Sequence, residues 1–96
     1  MLIRSQDKTC LTNMAQVTDI FYSESRKGTT QNITAALSSA ETTHLGTYST
    51  EEKAIKVLDM IENAYYNIEY SKFLGCENDT FAGCVFQMPQ DEEVKV

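Results

Sequence analysis

The sequence predicts an α+β fold, a small antiparallel sheet packed by one main helix, and three observations predict it. From Thr50 onward apolar residues recur at spacings of three and four. Between residues 16 and 48 the pattern changes to β-branched and aromatic runs with a period of two. The connections between those runs are a few polar or glycine-bearing residues, too short for parallel crossovers. Together they describe a meander of about four to five strands followed by a helix over about residues 50–70.

Taken in order, Leu2 and Ile3 begin a first strand, and a turn at Gln6-Asp7-Lys8 leads to a short return through Cys10-Leu11-Thr12. Residues 16–23 hold Val17, Ile20, Phe21 and Tyr22, the composition of a strand. Ser25-Arg26-Lys27-Gly28 is a turn. Residues 31–39 place Ile33, Ala35 and Leu37 on one face, as a half-buried strand does. A polar bend at Ala40-Glu41-Thr42 feeds a shorter strand over residues 43–48.

The helix opens on a capping box, Ser49 with Glu52 three positions on, and Glu51 and Glu52 suit the positive end of its dipole. Its apolar stripe is Ala54, Val57, Leu58, Ile61, Ala64, Tyr65 and Ile68. Gly75 is a stop signal beyond Phe73, residues 75–80 form a loop, and residues 81–88 are a last strand ended by Pro89. Gly46 and Gly83 mark bends or bulges in strands. Residues 1–89 thus form a single domain, with 90–96 an acidic, frayed tail.

Size and composition bound the function. At 96 residues and 42% hydrophobic content the chain is one globular domain with a marginal core. No apolar run approaches the roughly 20 residues that span a bilayer, and the first residues turn charged at Arg4 without a signal-like apolar stretch. The three cysteines, Cys10, Cys76 and Cys84, form an odd set without a C-x-x-C pair. They are expected as reduced, small apolar residues, with a Cys76–Cys84 bridge as the minor reading. The expected compartment is the cytoplasm, with no membrane association.

The net charge of −6 is unevenly placed. Residues 1–56 carry equal numbers of acidic and basic side chains, so residues 57–96 supply the whole excess. That half repels a phosphate backbone, which disfavours nucleic-acid binding.

No catalytic constellation is readable. His44 is the one histidine, which leaves zinc without a paired ligand set. Asp59 and Glu62 share a helix turn but fit a solvated face. The four glycines make no phosphate-binding pattern. The sequence therefore predicts no enzyme, no metal and no cofactor. Its candidate surface is aromatic: Tyr65, Tyr66, Tyr70 and Phe73 cluster on the second half of the helix, and tyrosine suits interfaces.

Three stretches carry a resemblance. Residues 3–8 (IRSQDK), residues 45–54 (LGTYSTEEKA) running into residues 57–61 (VLDMI), and residues 85–89 (VFQMP) are together similar to a family of small, uncharacterised proteins from Firmicutes and their prophages. The resemblance implies a small sheet, a following helix and a last strand ending at Met88-Pro89, in a bacterial or phage setting. It carries over no catalytic residue. Arg4 and Asp7, in the first stretch, join the candidate surface: Asp7 can close an Asx-turn and Arg4 can pair with a carboxylate.

The expected function is a non-enzymatic protein-interaction or accessory module, a homodimer or the partner of a host or phage protein. The alternative is an acidic mimic of nucleic acid that inhibits a host nuclease or defence enzyme.

Overall fold

The computed structural model describes residues 1–73 and 85–96, with side chains described for residues 1–67 and 85–96. Along the described residues the strands and helix are β1 (Leu2–Arg4), β2 (Leu11–Asn13), β3 (Val17–Glu24), β4 (Gln31–Leu37), β5 (Thr42–Tyr48), α1 (Glu51–Phe73) and β6 (Val85–Gln87). Short 3-10 turns lie at Met14–Gln16 and Asp91–Glu93.

The α+β class holds, but the single meander divides into two three-stranded sheets, ordered β2-β1-β6 and β3-β4-β5. The second is the antiparallel meander the alternation predicts. Tyr22 lies opposite Ile33 and Ile20 opposite Ala35, so these side chains share the inner face. In the first sheet β1 is antiparallel to β2 and parallel to β6, with Ile3 opposite both Thr12 and Phe86. Short connections exclude parallel pairing only between consecutive strands. Between β1 and β6 the rest of the chain acts as the crossover.

Turn chemistry fixes the hairpins. Gly28 takes φ +68°, and its N–H donates to Ser25 O at 2.8 Å. The β1–β2 turn places Lys8 at φ 67°, and the β4–β5 bend places Ala40 at φ 72°, both without glycine.

The helix α1 lies across β3, β4 and β5. Its Ala54, Val57 and Ile61 join Ile33, Ala35, Leu45 and Tyr48 in one core, which Ile3, Met88 and Val94 complete. Two expectations for α1 are corrected. The cap is Thr50, next to the first helical residue, whose Oγ1 accepts from Lys53 N at 3.2 Å, while the Ser49 hydroxyl and amide both donate to Asp91. Tyr65, expected on the buried stripe, is 42% exposed. A 23-residue helix is roughly 35 Å long, whereas strands of seven or eight residues span only about 25 Å. The second half of α1 outruns the sheet.

The acidic tail is also corrected. Residues 90–94 pack onto the body: Asp91 Oδ1 accepts from Ser49 N at 2.8 Å and Ser49 Oγ at 3.1 Å, and Lys53 Nζ donates to Asp91 O at 3.0 Å. Val94 is buried behind them. Of the expected last strand, residues 85–87 are extended, while residues 81–84, the loop at 75–80, Gly83, Cys76 and Cys84 lie outside the described residues.

Candidate functional site

The two sheets meet at Gln6. Strand β5 carries a bulge: Ile33 pairs with Gly46 and Thr34 with His44, leaving Leu45 over. The freed Leu45 carbonyl accepts from Gln6 N at 2.7 Å. Gln6 Nε2 then donates to Thr47 O at 3.0 Å and to Pro89 O at 3.2 Å, and Thr47 N donates to Gln6 Oε1 at 2.9 Å. Pro89 O also accepts from the buried Tyr48 hydroxyl at 2.7 Å. Burial, with the nearby carboxylates of Asp91 and Glu93, raises the Tyr48 phenol above its ordinary range. Position 46 is tight, since a Cβ there would lie 3.2 Å from Gln6 Cβ and 3.3 Å from the Tyr48 ring, so that these groups would have to give by a few tenths of an ångström. The three stretches that carry the sequence resemblance therefore converge on one hydrogen-bonded junction.

Beside this junction is a partly open hollow lined by Ser5, Gln6, Asp7, His44, Leu45 and Gly46. Asp7 Oδ1 accepts from Ser5 Oγ at 2.6 Å, Thr9 Oγ1 at 2.7 Å and Thr9 N at 3.0 Å, the last closing the expected Asx-turn. These bonds, the one from Ser5 foremost, lower the carboxyl to a pKa of about 2. The Ser5 hydroxyl also accepts from Cys10 N at 3.1 Å. Thr47 Oγ1 donates to Asn32 Oδ1 at 3.0 Å, so at 3.1 Å from His44 Nε2 it acts as an acceptor for that ring nitrogen. Each polar group here already has a partner within the turn or the sheet. Among the described residues no three His, Cys, Asp or Glu side chains gather as a metal site requires.

The sequence-selected residues do not form one patch. Asp7 lies in the β1–β2 turn, and the half-buried Arg4 lies on β1 opposite Leu11 and Gln87. Among the described residues the ion pair is Lys53–Asp91 at 3.4 Å, not one to Arg4. Tyr65 and Tyr66 are exposed on α1, at 42% and 64%. Tyr70 and Phe73 belong to the same helix, and their side chains lie outside the described residues.

A feature that sequence reasoning missed lies on the opposite flank. Strand β5 has its outer edge closed by Gln6, but β3, eight residues long, has only β4 beside it among the described residues. Its Phe21 is 42% exposed on the face away from α1, opposite Thr34. The strand itself was legible, but its edge position depends on sheet order, which carries no local signal.

Fold and surface thus define a small two-sheet α+β domain whose larger sheet is covered by Gln6 at one edge and, among the described residues, has no neighbour at the other. No protein-family model, curated protein or solved structure matches the chain. No helix among the described residues is long and apolar enough to cross a membrane.

Proposed function

We propose that this chain is a non-enzymatic protein-binding module, an accessory factor in a bacterial or phage cytoplasm, and that it recruits its partner along β3. The observation that carries this reading is the open edge. Among the described residues this eight-residue strand has no neighbour along that side, and natural proteins cover, bend or use such a row of peptide groups. Adding a strand to such an edge is a recurrent mode of protein recognition, with main-chain bonds supplying affinity and flanking side chains supplying selectivity. Phe21 provides an apolar anchor beside that edge.

The test uses wild type and Phe21→Lys as tagged baits in lysate of a Gram-positive host, washed at low and high salt. A protein held by wild type at high salt and lost by Phe21→Lys is expected. Its addition should also slow amide exchange at Ile20, Tyr22 and Glu24. Identical captures on both baits, with a wild-type bait that also does not pair with itself, overturn the reading.

A second reading, an acidic decoy for a nucleic-acid-binding enzyme, is favoured by the charge layout. The whole excess of −6 falls in residues 57–96, where Asp59, Glu62, Glu92 and Glu93 are exposed. Its partner would bind both baits alike and be released by high salt.

A further inference from the structure

We infer that the occupant of the β3 edge is a second copy of this chain, paired antiparallel about a two-fold axis that passes between the two Phe21 residues; this rests on the binding-module reading above. The backbone sets the register. Ser25 N donates to Thr30 O at 2.9 Å, and the pair lies in register with the rest of the hairpin. Hydrogen-bonded pairs alternate along an antiparallel ladder. Ser25, Ser23 and Phe21 therefore direct their peptide groups to β4, while Glu24, Tyr22 and Ile20 direct theirs outward. A second β3 can bond only by matching outward residues with outward residues, which eliminates half of the registers, since a slip of one reverses every residue.

Side chains choose among the remainder. With Phe21 opposite Phe21 of the second copy, Ile20 faces Tyr22 and Asp19 faces Ser23, so no carboxylate meets another or an apolar residue. A slip of two residues one way sets Asp19 against Phe21 and moves the bulged Thr18, where the register of β3 shifts, from the end of the paired stretch to a place opposite Tyr22. A slip of two the other way sets Glu24 against Ile20. The chosen register joins the inner-face residues Ile20 and Tyr22 across the dimer and places two aromatic rings in the close, non-hydrogen-bonded position.

The resulting sheet runs β5-β4-β3 and then β3-β4-β5 of the second copy. Both of its outer edges are β5 strands that Gln6 covers at Leu45 and Thr47, so self-pairing leaves β3 no longer at an edge. The two α1 helices lie on the same face of it.

Sedimentation equilibrium of the reduced protein tests this. Wild type is expected at twice the 10.8 kDa chain mass. Phe21→Lys and Phe21→Glu are each expected as folded monomers by circular dichroism, since like charges then meet on the axis. Their equimolar mixture is expected to restore the dimer, because this register alone sets residue 21 against residue 21. Should either variant misfold, the wild-type amides of Ile20, Tyr22 and Glu24 supply the readout, with protection rising as concentration rises. A wild-type monomer at every concentration overturns self-pairing and leaves the binding-module reading to the lysate experiment. A dimer that survives both single substitutions, or edge amides indifferent to concentration, also overturns it.

Discussion

The carboxamide of Gln6 stands to the peptide of Thr47 as a neighbouring strand would, accepting from its N–H at 2.9 Å and donating to its carbonyl at 3.0 Å. A side chain thus takes over main-chain pairing at the edge of β5, where the bulge at Leu45 interrupts the ladder. Both functions of the amide are used. Gln6→Ala is expected to cost about 2 kcal/mol, since it leaves partly buried peptide groups unpaired. Gln6→Glu should cost at least as much at neutral pH, because a carboxylate cannot donate to Thr47 O or Pro89 O. Urea midpoints of the two variants check both statements.

At alkaline pH Tyr48 should matter most. Its phenol is raised in the folded state by burial first and by the carboxylates of Asp91 and Glu93 after that. A group raised on folding contributes stability below its unfolded pKa and loses it as pH climbs. Wild type should therefore weaken above about pH 10. Tyr48→Phe is expected to lose about 1 kcal/mol at neutral pH, the hydrogen bond to Pro89 O, and to show a flatter alkaline limb in thermal melts across pH.

Acid works through the opposite sign. Asp7 is lowered to about 2, chiefly by the Ser5 hydroxyl, and Asp91 is lowered chiefly by the Ser49 amide. Groups lowered on folding contribute stability above their unfolded value, near 4, and lose it as pH falls through the folded one. Asp7→Asn should flatten the melting profile between about pH 4 and pH 2, and Asp91→Asn should flatten it below about pH 4. The effect at each is expected to be small, since Asp7 is exposed and Asp91 is only half-buried, so solvent screens both.

At Ala40 the chain accepts a left-handed conformation, φ 72°, to close the bend in which Ala40 N donates to Leu37 O at 2.9 Å. Ala40→Gly removes that strain and adds some freedom to the unfolded chain. A net gain of about 0.5–1 kcal/mol is expected. A differential melting scan should show a midpoint several degrees higher, by about 4 °C.

What the sequence revealed was local. The alternation of Ile33 and Ala35 gave β4 and its inner face, and the spacing of Ala54, Val57 and Ile61 gave the buried side of α1. Ser49 and Thr50 are adjacent, equally good caps; the helix takes Thr50, while Ser49 donates to Asp91, 42 residues away. Tyr65 fits the helical stripe but lies past the strands that bury it. The split into two sheets depends on Ile3 meeting Phe86, a contact with no local signature. The candidate residues Arg4 and Asp7 proved to lie near the Gln6 junction, yet Gln6 itself, an unexceptional polar residue in a turn, gave no reason to be chosen.

The parallel pairing of β1 with β6 has a consequence for how the chain is made. Residues 2–4 leave the ribosome before residues 85–87, so β1 waits for one of its two neighbours until the intervening chain is made. Meanwhile β3, β4 and β5 are joined by tight hairpins and can pair as soon as they emerge. The nascent protein should pass through a stage with the larger sheet formed and Ile3 uncovered on the side that β6 later takes.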